Sequence, residues 1–194
     1  SDTYRYYRIY MMSNNWPEYW WEIFLGEMEM MEGIYSDDLI EYTEDLCVEG
    51  IAFADSIEGN LVPSRAFDNN FTNSTACWGS DTISGDHWIG FQFVEPKKII
   101  QYVIHSTIHT GYHPGSPQDF IFQGSNNGST WINLDIQTGH MWTPAQVKTF
   151  NFSNYNSYLY YRIYCTKNII NNNLYFYVQE IEMMGNIVNE IATV

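Results

Sequence analysis

Pro117-Gln-Asp-Phe-Ile-Phe-Gln-Gly-Ser-Asn-Asn-Gly-Ser-Thr-Trp131 is the stretch whose reading decides the fold. Phe120-Ile-Phe122 is an aromatic and β-branched run of the kind that favours strand. It breaks at Asn126-Asn-Gly128, and Trp131-Ile-Asn-Leu134 resumes the strand pattern. Asn127-Gly128 is a hairpin-turn dipeptide, because both residue types tolerate positive φ. Strand, turn, strand is therefore the local unit.

The unit repeats along the chain. Trp88-Ile-Gly-Phe-Gln-Phe93 alternates, Lys98-Ile-Ile-Gln-Tyr-Val-Ile104 is β-branched, and Lys148-Thr-Phe-Asn-Phe152 and Tyr158-Leu-Tyr-Tyr-Arg-Ile-Tyr164 continue the series. Turn formers at Pro114-Gly-Ser-Pro117 and Ser153-Asn154 separate them. No segment carries an amphipathic helical period. Many short strands with regular turns predict an all-β sandwich or barrel. Trp88, Phe91, Phe93, Trp131 and Tyr161 are the large side chains expected inside it. Arg162 is expected to bond backbone or carboxylate near the strand ends.

Composition agrees. Of 194 residues, 45% are hydrophobic and 18% aromatic, enough for a sizeable core. Acidic residues outnumber basic ones 23 to 8, a net charge of −15. A nucleic-acid binder needs clustered Lys and Arg to displace counterions, so no nucleic-acid partner is expected. The same deficit argues against anionic lipid surfaces, and no apolar run approaches the ~20 residues of a spanning helix, so no membrane insertion is expected. An acidic surface suits divalent cations instead. No secretory leader is legible at the start. Cys47, Cys77 and Cys165 leave two readings open: one bridge plus a free thiol, or three buried reduced cysteines.

Two stretches echo each other. Tyr4-Arg-Tyr-Tyr-Arg-Ile-Tyr10 matches Tyr158–Tyr164, and Glu27-Met-Glu-Met-Met31 matches Glu180-Ile-Glu-Met-Met184, in the same order and at nearly the same separation. Residues 1–33 therefore read as an orphan strand pair, a partial copy of the C-terminal strands of the main domain. Residues 34–45 read as an acidic linker, residues 46–186 as the sandwich, and residues 187–194 as a tail or linker.

Four blocks now resemble a known family: Arg65-Ala-Phe-Asp-Asn-Asn70, Trp88–Phe93, Pro117–Trp131 and Tyr160-Tyr-Arg-Ile163, closed by Glu180-Ile-Glu-Met183. They look like the signature blocks of discoidin domains, which include the coagulation-factor type C domains and the family-32 carbohydrate-binding modules. The resemblance covers roughly residues 46–186. It implies a discoidin-like antiparallel β-sandwich of jelly-roll type, and a binding module and not an enzyme. The chain also lacks a Gly-x-Ser-x-Gly elbow, a His-Glu-x-x-His helix and a Walker loop.

The resemblance further implies a structural Ca²⁺ in the loop after the first strands. Asp68, Asn70 and Glu180 occupy its side-chain positions, with the carbonyls of Arg65 and of Asn73 or Thr75 nearby, an all-oxygen set that suits a hard cation. The sequence departs from the family pattern at two points: Asn69 stands where the family has glycine, and the stretch from Asp68 to Trp78 is longer. A loop held by Asx turns is the competing reading. Asn70, Asn73, Asn127 and Asn151 each begin an N-x-Ser/Thr sequon, the glycosylation acceptor pattern. At Asn70 a glycan and a metal are partly exclusive.

His105, His109 and His113 are spaced four apart, as zinc ligands on one helix face would be. Gly111 and Pro114 oppose a helix there. A polar loop in which these imidazoles and Tyr112 hydrogen-bond a ligand is the preferred reading. Sugar-binding relatives stack an aromatic ring on the sugar's C–H face, and the loops to search are Thr107–Ser116, Gly139–Thr143 and Lys167–Asn173. Trp142, flanked by His140 and Pro144, is the expected stacking platform, with a core tryptophan as the alternative.

Two functions follow. The first is glycan recognition by an extracellular, cell-surface or virion-surface module in a tandem-repeat protein. The second is a structural subunit of a fibre or virus tail, in which residues 1–33 donate strands to a neighbouring copy in a head-to-tail assembly.

Overall fold

The computed structural model describes residues 42–83 and 85–186. The expected orphan strand pair at 1–33, most of the linker and the tail lie outside the described residues.

Among the described residues ten strands form: β1 (Gly50–Ala54), β2 (Trp78–Gly79), β3 (His87–Lys97), β4 (Gln101–His105), β5 (Pro117–Ser125), β6 (Ile132–Gln137), β7 (Val147–Asn151), β8 (Tyr158–Asn168), β9 (Tyr177–Val178) and β10 (Glu180–Met184). One sheet runs β1-β3-β8-β5-β6, a second runs β10-β4-β7, and β2 pairs with β9. Every pairing is antiparallel. This is the all-β sandwich expected.

Alternation explains the layers. Ile89, Phe91 and Phe93 on β3, Phe120 and Phe122 on β5, and Tyr161, Ile163 and Cys165 on β8 are all buried. Register brings them together, with Ile89 opposite Ile163, Phe91 opposite Tyr161 and Phe122 opposite Ile163. Tyr102, Ile104, Phe150, Ile181 and Met183 from the second sheet complete the core. Each such side chain contributes about 1.5–3 kcal/mol of apolar burial. The Tyr161 hydroxyl donates to the Lys97 carbonyl (2.6 Å) and accepts from the Ile99 N–H (3.3 Å), fastening the β3–β4 connection.

Two of the expected interior residues take the other face. Trp88 and Trp131 are only half-buried, because they flank Arg162 on the outer side of the five-stranded sheet. The Arg162 guanidinium carbon lies 4.0 Å from the Trp131 ring centroid and 5.2 Å from that of Trp88. Its Nε donates to Gln123 Oε1 at 2.7 Å. Arg162 is thus held by aromatic faces and an amide, not by backbone or carboxylate at the strand ends.

The β5–β6 turn is longer than a two-residue hairpin. Gly128 has φ +69°, and Asn127 Oδ1 accepts from Ser129 N (2.9 Å) and Thr130 N (2.8 Å). Residues 42–46, read as the end of the linker and the start of the domain, run beside β10: Thr43 N donates to Gly185 O (3.0 Å) and Leu46 N to Met183 O (2.9 Å). Cys47, Cys77 and Cys165 are buried and unbridged.

Candidate functional site

The antiparallel order sends five connections to one end of the sandwich: 55–77, 80–86, 106–116, 138–146 and 169–176. There Glu58, Gly59, Asn60, Leu61, Arg65, Thr75 and Tyr112 line a cleft of about 380 Å³. That size falls within the range of small-ligand sites.

Each wall is held from below. Asp55 Oδ1 accepts the Trp88 N–H (2.7 Å), and Asp55 Oδ2 lies 2.6 Å from His87 Nδ1. Ser56 O accepts the buried Trp78 indole N–H at 3.1 Å. Glu58 N donates to Gly79 O, and Leu61 N closes a turn on Glu58 O through Gly59, whose φ is +55°. The Arg65 guanidinium donates to Thr75 O at 2.7 Å, joining the two ends of the 65–76 loop.

The opposite wall is aromatic. His109 stacks on Tyr112 with centroids 4.3 Å apart, and Tyr112 stacks on Tyr177 at 4.6 Å. The Tyr177 hydroxyl donates to Glu58, tying the two walls together. Burial, then Glu58, pushes the Tyr177 phenol well above its usual range. Gly115 lies so close to the Tyr175 and Tyr177 rings that a Cβ there would displace them. The cleft therefore presents a carboxylate, an amide, a guanidinium and two hydroxyls around a fixed ring stack. Such a set reads hydroxyls by hydrogen bonds.

The expected ligand-binding residues divide. Tyr112 lines the cleft and His109 backs it. His105 lies on β4, its Nε2 3.3 Å from Glu182 Oε1 and its ring stacked on Phe71 at 4.5 Å. His113 Nε2 lies 2.9 Å from Trp142 O and so joins two connections, while His140 Nε2 lies 2.8 Å from Gln137 Oε1 at the end of β6. Burial lowers the His105 and His140 imidazoles. Trp142 is a core side chain, 4% exposed. Its indole N–H donates to Pro117 O (2.6 Å) and Lys148 Nζ sits 4.5 Å from its ring centroid, leaving no face for a sugar.

Glu58, Asn60 and Tyr177 escaped the sequence reading, and Thr75 entered it only as a carbonyl of the expected cation loop. Glu58-Gly-Asn60 carries a turn signal, but nothing local ties it to Tyr112.

The expected calcium ligands lie around one loop. Glu180 is fully buried, and neither of its carboxylate oxygens meets a donor at hydrogen-bond geometry. Burial first, then Asp68, Asp45 and Glu182, pushes its carboxyl up to about 8, with the Asn69 N–H pulling the other way. Asp68 Oδ1 accepts Asn70 N at 3.0 Å. Asn70 and Asn73 spend their side-chain oxygens on Thr72 and Thr75. The loop is thus held by Asx turns, yet it leaves a buried carboxyl whose oxygens no donor meets at hydrogen-bond geometry. Among the described residues no three His, Cys, Asp or Glu side chains converge on one point, so a cation here would draw on carbonyls as well. The donor chemistry fits a hard cation.

Of the sequon asparagines, Asn73, Asn127 and Asn151 are exposed and Asn70 is half-buried. Asn151 Oδ1 accepts from Gln101 at 2.7 Å. Among the described residues no helix is long and apolar enough to cross a membrane.

The described residues thus form an antiparallel β-sandwich with a polar, ring-backed cleft between its end loops. The sequence profile of the F5/8 type C domain matches residues 51–179, and the chain belongs to that family, the discoidin domains. No curated protein matches it. Among solved structures it is similar to a Clostridium perfringens module in complex with GalNAc-β-1,3-galactose, at 12% identity and TM-score 0.60, covering 73% of this chain and 99% of that one. It is also similar to the family 32 module of C. perfringens NanJ in complex with galactose, at 18% identity and TM-score 0.60, covering 75% and 100%. A third is chitosan-binding module 1 from a Paenibacillus sp. IK-5 chitosanase/glucanase, at 20% identity and TM-score 0.58, covering 73% and 98%. These likenesses are of fold.

Proposed function

We propose that the chain is a non-catalytic carbohydrate-recognition module of an extracellular, cell-surface or virion-surface protein, and that it binds glycan in the cleft between Glu58 and Tyr112. The observation that carries this is the convergence of Glu58, Asn60, Arg65, Thr75 and Tyr112 on one opening, with Tyr112 fixed by His109 and Tyr177. Carboxylate, amide and guanidinium groups pair with vicinal hydroxyls, and a held wall keeps the ordering cost of binding low. The C. perfringens relatives in complex with galactose and with GalNAc-β-1,3-galactose support the ligand class.

Asp68, Glu180 and carbonyls of the 65–76 loop would hold Ca²⁺. The ion would neutralise the buried Glu180 and brace the loop that ends on the cleft residue Thr75.

A glycan array probed with the full chain, with calcium and with EDTA, tests the reading beside Glu58→Gln and Tyr112→Ala. Defined glycans should be retained by the wild type, weakened by EDTA and lost in both variants. A blank array from folded protein overturns it.

One observation favours a second reading, a fibre or tail subunit. Residues 4–10 copy the sequence of β8 and residues 27–31 that of β10, the strands a neighbouring sandwich would need. That segment lies outside the described residues. Sedimentation of the full chain as concentration-dependent polymers, against monomer for residues 42–194, would support strand donation.

A further inference from the structure

Gln179 is buried, 1% exposed, between β9 and β10. Its Nε2 donates to three carbonyls of one loop: Asn70 O (3.2 Å), Asn73 O (3.1 Å) and Ala76 O. Its Oε1 accepts the N–H of Ile108 (3.4 Å) in another. Its own N–H donates to His105 O (3.0 Å), which fixes where the side chain starts.

Three carbonyls aimed at one point repel each other unless something positive stands there. An amide nitrogen supplies two N–H groups, so one of them is shared between two of the three carbonyls, and its oxygen accepts at the same time. One side chain thus satisfies a curled loop from within and reaches across to its neighbour. The first loop ends on Thr75 and the second continues into His109, whose ring backs Tyr112. Both carry cleft residues.

We propose that Gln179 is a positioning residue that couples the 68–76 loop to the 106–112 loop, so that ordering one orders the other. The part of this that concerns ligand affinity rests on the glycan reading of the cleft; the coupling itself does not. A cation at Asp68 and Glu180 would brace the first loop from its other side, and through Gln179 it would also protect Ile108. Linkage makes that reciprocal: a cleft ligand would tighten calcium binding by the same factor.

The test is residue-resolved amide exchange on the full chain, as wild type, Gln179→Leu and Gln179→Glu, each with EDTA and with calcium. In Gln179→Leu, exchange at Ile108 and at residues 70–76 should rise together by about tenfold or more, while β3 and β8 stay protected. Calcium should protect Ile108 in the wild type but not in Gln179→Leu. Gln179→Glu keeps the acceptor for Ile108 but turns a carboxylate on the three carbonyls, a hard-cation donor set. It should behave like the leucine variant in EDTA and be rescued at both loops by calcium.

Unchanged exchange in Gln179→Leu, or a change in one loop alone, overturns the coupling. If the leucine variant loses protection throughout, Gln179→Glu decides. Joint recovery of both loops with calcium supports the clamp, and absence of recovery overturns it. Normal coupling in a chain that binds no glycan leaves this inference standing and removes the ligand reading instead.

Discussion

Glu180→Gln should stabilise the metal-free chain at alkaline pH and abolish its response to calcium. The native state buries this carboxyl without a hydrogen-bond partner and raises it from the ordinary 4.5 to about 8. Between those values the native state holds a proton that the unfolded chain has released. Stability therefore falls as pH rises from about 4.5 through about 8, then levels off. The full shift corresponds to ~5 kcal/mol, an upper bound because relaxation and water entry soften a buried charge. At ~2–4 kcal/mol remaining, and about 2–4 °C per kcal/mol for a domain of this size, the variant should melt some 5–15 °C above wild type at pH 9 in EDTA. The gap should close toward pH 5. Calcium should raise the wild-type melting temperature above pH 8, where the carboxylate needs no proton loss, and leave Glu180→Gln unmoved. Thermal unfolding followed by circular dichroism at pH 5, 7 and 9 supplies the data. Parallel pH curves for the two proteins, or equal stabilisation of both by calcium, would refute the reasoning.

Trp142→Ala should act on the fold first, lowering stability by about 3–5 kcal/mol in urea titration as a buried aromatic does; unchanged stability with selective loss of glycan binding would return Trp142 to the site. The three thiols should resist Ellman's reagent in the native chain and react in denaturant. Burial pushes the Cys47 and Cys165 thiols up, and raises Cys77 to about 12. A fast native thiol would contradict that burial.

The strands were legible because aromatic and β-branched runs alternate between turn formers. Which face of a strand points inward was less so. Trp88 and Trp131 share the outer side with Arg162, and a period of two separates faces without saying which one a guanidinium will claim. Trp142 sits among Gly139, His140 and Pro144, a composition that signals an exposed loop. Its indole N–H nevertheless finds Pro117 O, and Lys148 covers its ring. β1 and β9 went unread because Gly50–Ala54 is short and small-residue-rich and Tyr177-Val178 has two residues. Of the cleft, Tyr112 and its Thr107–Ser116 loop were legible as a polar, aromatic loop, whereas Glu58, Asn60 and Tyr177 come to it only through sheet order. The residues proposed for a cation were named only through family resemblance; the isolation of Glu180 is a matter of burial and not of spacing, so no local pattern carries it.

The most direct test of the central claim is a galactose titration of the isotopically labelled chain followed by amide chemical shifts. The account predicts saturable shifts confined to residues 58–61, Thr75 and residues 108–112, with the 139–143 loop silent. Saturable shifts centred on the 139–143 loop, or none with galactose or with N-acetylgalactosamine, would contradict it.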